Sequence, residues 1–472
     1  MIFCKNISRL SLILHFFLYL SFTAPHWPLH AHESDVAKYN GVYNVGFDVI
    51  REKRLANLKA QGIIPQDTKL SPRDHNIKWE NLTKAEQDDY IRRMQVYAGM
   101  VDNMDQNIGR VMNLLKSRGK FNNTIILFLS DNGGSREDAE ERGLHDPRKK
   151  IGEKGSYVSY LRPWSNVSNT PFRNHKNDTY EGGIATPLIV HYPDGIRNVG
   201  QITNQIAHVK DIMPTLLEMT NSSYPSNYQG NSIKSMSGNS FKHALDNPND
   251  VRAWEIFFEF GGRRAVRHGN WKIVSETANG NWFLYNLEND FTEQQNIQSS
   301  YPDIVTKLQK RYNLWEIAVR HKSGSLPTSN KPPVLLKPIN DQLASEGILF
   351  DFTFANDVFT DDPNDDFIFE ATLANGQQLP SWLKFDGLLR KFTGVPPAGA
   401  LTNPITVRLA AVDWAKNKTI DEFRISKDPN TTGGGGGGTA PAGKSLLVVQ
   451  NPTTLNGADQ DAKIVWSYWA TQ

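Results

Sequence analysis

The sequence predicts an α/β protein, with a mostly parallel sheet and helices on both faces, followed by a small antiparallel sheet and then a β-sandwich. Three observations predict it. An unbroken apolar run, Thr124–Ser130, stops in Asp131-Asn132-Gly133-Gly134, the pattern of a strand buried on both faces that ends in a turn. Helix-like and strand-like segments then alternate as far as about Ala253, which favours parallel strands joined by helices. Beyond about Val334 the helical period disappears, and short strand candidates punctuated by Pro and Gly take its place, as in a sandwich.

Taken in order, the chain opens with Lys5 and Arg9 ahead of the apolar run Leu10–Ala24, the layout of a secretion signal. No clean small-x-small cleavage site follows, and the run is too short for an ordinary membrane helix of ~20 residues. Phe16–Thr23 is therefore read as another buried strand, with His26 on the loop at its carboxyl end, and residues 1–15 as leader sequence foreign to the rest. Thr83-x-x-Glu86 is a capping box, the start signal of a helix. After it Tyr90, Met94, Tyr97, Val101, Met104, Ile108, Val111 and Leu115 form one apolar stripe, closed by Gly119, and such a stripe is core. Pro187–His191 predicts a strand, and Asp211–Leu217 a helix with Asp211 as its N-cap.

Ala265–Arg267 and Trp271–Val274 flank His268-Gly269-Asn270 as a hairpin. Trp282–Tyr285 adds a strand, and a helix through Leu308, Tyr312 and Trp315 closes this part near Val319. The expected organisation is thus a first domain over 16–320, a polar linker over 321–333, and a sandwich over 334–427 that folds by itself. A spacer over 428–444 contains the run Gly433–Gly438, and 445–472 is a tail too short for a domain, read as cut off.

Composition narrows the function. A chain of 472 residues exceeds the ~250–300 that one core serves. Its 52 basic and 50 acidic residues give a net charge of +2 with no basic stripe, so nothing points to nucleic acid. The single cysteine, Cys4, excludes internal disulfides and cysteine zinc clusters. A carboxylate and an amide oxygen delivered together at the end of a strand, as Asp131 and Asn132 would be, suit a hard cation such as Ca²⁺. A plain turn uses the same residues, so this run alone does not decide.

Several segments do so together. Phe22–Leu29 (FTAPHWPL), Ser130–Gly134 (SDNGG), Trp164–Lys176 (WSNVSNTPFRNHK) and Glu181–Pro187 (EGGIATP) occur in that order, with His208–Thr215 and Tyr285–Asp290 after them. The set resembles the arylsulfatases of the alkaline phosphatase superfamily from about Phe16 to Val319. That resemblance implies an alkaline-phosphatase-like fold and a sulfuric-ester hydrolase using a formylglycine nucleophile and Ca²⁺. It implies that Asp131 and Asn132 are metal ligands, that Lys176 contacts the sulfate, and that His26 binds sulfate or transfers a proton. The roles are chemically sensible, since a metal and an ammonium stabilise charge growing on a sulfate ester and an imidazole can protonate a leaving oxygen.

The family's nucleophile comes from a Cys/Ser-x-Pro/Ala-x-Arg motif, and no Arg here has Cys or Ser four positions before it. The early Asp-Asp pair that completes the metal site is missing too. The expectation is therefore a sulfatase domain lacking its first part and inactive as written. The competing class is a noncatalytic extracellular binding or adhesion protein built on a decayed sulfatase scaffold. A phosphodiesterase of the same superfamily is a lesser rival, disfavoured by Trp164–Lys176.

Asn340-Asp341-Gln342, Glu346-Gly347, Phe359–Asp366, Leu379–Leu383, Phe392-Thr393-Gly394 and Asp413 resemble the cadherin-like, dystroglycan-type immunoglobulin-fold domains of extracellular proteins. Asp361, Asp362, Asp365 and Asp366 would be Ca²⁺ ligands or a solvated acidic loop. The two resemblances together imply a periplasmic or extracellular protein acting on a sulfated small molecule or sulfated carbohydrate. The immunoglobulin-like domain would contact carbohydrate or protein.

Overall fold

The computed structural model describes residues 15–320, 331–361, 366–429 and 448–449. The proposed leader up to residue 14, most of the linker, the glycine spacer and nearly all of the tail lie outside the described residues, as do Asp362 and Asp365. The chain divides into two compact units. The first is built on Met1–Pro248, Leu287–Gln294 and Lys444–Gln472, and the second on Asn249–Asn286 and Gln295–Gly443.

In the first unit, α1 (Gly46–Ala60) and α2 (Lys84–Ser117) supply most of the helical core. The Thr83 side chain accepts from the Glu86 amide and the Glu86 carboxylate accepts from the Thr83 amide, so the expected capping box closes. Met94, Val101, Met104 and Leu115 of the stripe are buried, and Gly119 ends the helix with φ +62°, a backbone that glycine adopts freely. The apolar run becomes β1 (Ile126–Leu129). It is followed by α3 (Leu161–Ser168), the one-turn α4 (Glu181–Ile184), β2 (Leu188–His191), β3 (Gln201–Ile202) and α5 (Ile212–Met219).

Two expectations are corrected here. Phe16–Thr23 forms no strand: the stretch has no ladder partner among the described residues, and Phe17 and Tyr19 are 79% and 80% exposed. An apolar run becomes a strand only where another strand takes its backbone groups. Residues Ile126–Leu129 are half-buried rather than buried and run antiparallel to β2. Among the described residues the sheet order β1, β2, Val448–Val449, β3 leaves β1 at an edge, and the parallel pairing is between β2 and Val448–Val449. An apolar run without period carries no information on strand direction.

The second unit opens with the expected small sheet, β4 (Glu255–Phe260), β5 (Arg263–His268), β6 (Trp271–Ser275) and β7 (Phe283–Asn286), all antiparallel. Next comes α6 (Pro302–Arg320). The sandwich pairs Phe350–Thr353, Lys391–Gly394 and Lys384–Asp386 in one sheet, and Gln342–Ala344, Lys418–Lys427, Ile405–Asp413 and Phe367–Leu373 in the other. Its core holds Phe350, Phe369, Phe392, Leu409 and Phe423. The sandwich also packs on the small sheet. Leu388 joins the core of Val266, Ile273, Leu284, Leu308 and Tyr312, and Trp271 Nε1 donates to Asp386 at 2.8 Å.

Candidate active site

The turn after β1 is built by close backbone approach. Gly133 N–H donates to the Gly183 carbonyl (3.0 Å) and Lys176 N–H to the Gly134 carbonyl (3.0 Å). A Cβ on Gly133 would overlap the Gly182 carbonyl, and one on Gly182 would overlap the Arg173 carbonyl. The glycines of SDNGG and EGGI are therefore required where three backbone segments meet. Asn169 latches two of them: its Oδ1 accepts from Gly134 N–H (2.7 Å) and its Nδ2 donates to the Asn174 carbonyl (3.0 Å). Glu293 adds a brace, accepting from Glu181 N–H at 2.7 Å through its side chain and from Arg173 at 3.1 Å through its carbonyl.

On this frame Lys176 Nζ lies 3.2 Å from His26 Nε2, although 150 residues separate them in sequence. His26 Nδ1 lies 2.6 Å from the Trp27 carbonyl. A carbonyl only accepts and an ammonium only donates, so the proton belongs on Nδ1 and the Nε2 lone pair takes the Lys176 hydrogen. His26 is exposed and Lys176 half-buried, leaving the other ammonium hydrogens for a ligand. His26 reaches this place on a turn, its N–H donating to the Thr23 carbonyl (3.1 Å), not at the end of a strand. Its ring packs on Trp27 with centroids 4.9 Å apart, and the Arg142 guanidinium lies 5.6 Å over Trp27.

Asp131 is exposed and makes no hydrogen bond or ion pair with another described residue. The Asn132 Nδ2 donates to the Gly133 carbonyl at 2.9 Å. The two present oxygen donors of the right hardness for Ca²⁺, but that ion takes ~6–8. Among the described residues no three His, Cys, Asp or Glu side chains gather to hold a metal. These residues do not make a Ca²⁺ site by themselves.

Residues without a sequence-based role lie beneath. His175 is fully buried, with Nδ1 2.7 Å from Ser165 Oγ and Nε2 hydrogen-bonded to Asp74. Burial pushes the Asp74 carboxyl up, but His175 and Arg162, whose Nε is 3.3 Å away, more than offset this and hold it below the usual carboxylate range. Arg51, buried nearby and donating to Ser71 at 2.7 Å, is brought down to about 10 by its burial. His175 stands inside the motif Trp164–Lys176, next to Lys176, but nothing in the sequence gives it a role of its own. Asp74 lies 101 residues away in a segment with no periodic pattern.

Comparison with known proteins agrees with this architecture. Residues 15–222 match the Sulfatase family, residues 174–317 the C-terminal region of N-sulphoglucosamine sulphohydrolase, and residues 332–426 the He_PIG family of Ig domains. Residues 15–317 are thus similar to sulfatases, and residues 332–426 to immunoglobulin-like domains.

Among curated relatives, an uncharacterized sulfatase of Schizosaccharomyces pombe is 34% identical over 323 residues, 64% of this chain and 57% of the relative. An arylsulfatase of Klebsiella aerogenes is 40% identical over 211 residues, 43% of this chain and 45% of the relative. The N-acetylgalactosamine-6-sulfatase of Rattus norvegicus is 26% identical over 202 residues, 43% and 33%. The chain thus spans about half the length of the first two. A solved 2-O GAG sulfatase, 15% identical, covers 66% of this chain and 70% of its own with a TM-score of 0.33, too low to bear on the arrangement. No helix among the described residues is long and apolar enough to cross a membrane.

Proposed function

We propose that this chain is the sulfate-recognising part of a sulfuric-ester hydrolase. The observation that carries the reading is the Lys176–His26 pair, 3.2 Å apart, on the frame that also holds the Asp131-Asn132 turn. Lys176 would bind the sulfate oxygens and oppose the charge that grows on them as the ester bond breaks. The hydrogen shared by Lys176 Nζ and His26 Nε2 would pass to the departing oxygen. Asp131 and Asn132 would be the oxygen donors this chain contributes to a Ca²⁺ ion. The formylglycine nucleophile of the family has no source here, because the Cys/Ser-x-Pro/Ala-x-Arg motif is absent from the sequence, and these 472 residues alone would turn over no sulfate ester.

The substrate class that fits is a sulfated carbohydrate or small molecule outside the cell, with the immunoglobulin-like domain contacting carbohydrate or protein. The test is aryl-sulfate hydrolysis by the purified chain with Ca²⁺, beside calorimetric binding of inorganic sulfate. Binding without hydrolysis is expected. Turnover near ~10 s⁻¹, a typical enzyme value, would overturn the missing-nucleophile part, and absence of binding would overturn the recognition part.

A further inference from the structure

His175 has no exposed surface, yet both ring nitrogens are engaged, one by Asp74 and one by Ser165 at 2.7 Å. A carboxylate only accepts, so the Nε2 proton faces Asp74, and in the neutral ring Nδ1 accepts from the Ser165 hydroxyl. The order Asp, His, Ser invites comparison with a nucleophilic triad. Ser165 is itself fully buried on α3, however, and a nucleophile must reach its substrate. A buried polar chain that is hydrogen-bonded end to end fixes the backbone that carries it.

That backbone carries Lys176. Asn174 and Asn177 on either side take left-handed conformations, with φ 63° and 77°, so the loop turns sharply on both sides of His175-Lys176. Above it, Lys176 N–H is tied to the Gly134 carbonyl at 3.0 Å. Below it, the His175 ring is pinned at two points. Arg162 Nε, 3.3 Å from Asp74, holds the far end of the chain, while Asp74 Oδ1 is buried without a hydrogen-bond partner among the described residues. An outer partner that orients a ligand-contacting group controls affinity without touching the ligand.

We propose that the buried Asp74–His175–Ser165 chain positions Lys176 against His26, so that sulfate recognition depends on Asp74. Asp74, His175 and Ser165 are positioning residues, and the inference rests on the reading of Lys176 as a sulfate contact. The substitution Asp74→Asn keeps the shape of the side chain and removes its charge. It is expected to weaken binding of inorganic sulfate about tenfold, the lower end for such outer partners. It is also expected to shift the His26 ring signals in NMR spectra of the full chain, whereas in a Lys176→Ala background the same substitution should leave those signals in place.

Unchanged sulfate affinity would overturn the proposal. So would unmoved His26 signals, or signals that move equally in both backgrounds, since that reports general loosening. If the parent chain binds no sulfate, the recognition reading fails and the NMR comparison alone decides the positioning role. Should Asp74→Asn not fold, Ser165→Ala, which removes only the hydroxyl at the other end, carries the same comparison.

Discussion

Two clusters of charged side chains, one in each unit, are built on opposite terms. In the second unit Arg311 is 1% exposed. Its Nε and Nη2 donate to Glu255 at 2.9 and 2.7 Å, its Nη1 to the Asp366 carbonyl at 3.0 Å, and its guanidinium lies 5.4 Å from the Trp414 ring centre. In the first unit His26 is exposed, Lys176 is half-buried, and Asp131 lies open without a partner among the described residues. A cluster that closes on itself holds the fold, because leaving a buried charge unpaired is expensive. A cluster with donors to spare at the surface is available to a ligand. Charged side chains therefore close on one another in the second unit and stay open at the surface in the first.

The comparison breaks most visibly at Arg311. Arg311→Ala should destabilise the second unit by ~3–5 kcal/mol, the cost of stranding one partner of a buried pair, read by chemical denaturation. A smaller effect belongs to His268, buried beside Glu255 and Arg311. Burial lowers its pKa below the ordinary 6.5, and the Arg311 charge adds to this against the opposing pull of Glu255. The unfolded chain then binds a proton that the folded one resists. Its contribution is complete above about pH 6.5 and is lost as the pH falls from there toward the lowered value. Thermal unfolding should show Tm falling over that interval, and His268→Gln should flatten the fall.

Thr83→Ala, which opens the capping box of α2, should cost ~1 kcal/mol, measured the same way as Arg311→Ala. At the other extreme, Lys176→Ala should leave stability within ~0.5 kcal/mol, as expected of a surface group outside any buried network. A larger loss would mean that the Lys176–His26 contact is structural, and the contrast between the two clusters would disappear.

What the sequence disclosed follows from how far its signals reach. The helix from Lys84 to Ser117 was legible to its cap because Thr83, Glu86 and the stripe from Tyr90 to Leu115 are local. The small sheet announced itself through the His268-Gly269-Asn270 turn, and the sandwich through its loss of helical period. Phe16–Thr23 misled because an apolar run reads the same whether or not a strand waits beside it. The direction of β1 against β2 was likewise invisible, and so was the packing of the sandwich on the small sheet through Trp271, Asp386 and Leu388.

At the site, the motif residues His26, Asp131, Asn132 and Lys176 could be named in advance, and the structure brings His26 and Lys176 into contact. The residues that hold them could not be named. Asp74 and Glu293 reach across long stretches of chain through a few hydrogen bonds and an ion pair, which leave no periodic trace. Asn169 stood inside a recognised motif, but its two bonds appear only once the glycine turn and the 174–176 loop are side by side.

The most direct test of the recognition cluster is calorimetric titration of inorganic sulfate into the full chain and into its Lys176→Ala and His26→Ala variants. The account predicts one bound sulfate in the parent and about a tenfold or greater loss in Lys176→Ala, the scale of a charge-assisted hydrogen bond, with a loss also in His26→Ala and Tm unchanged in both. A parent chain that takes up no sulfate, or variants that bind it as tightly as the parent, would contradict it.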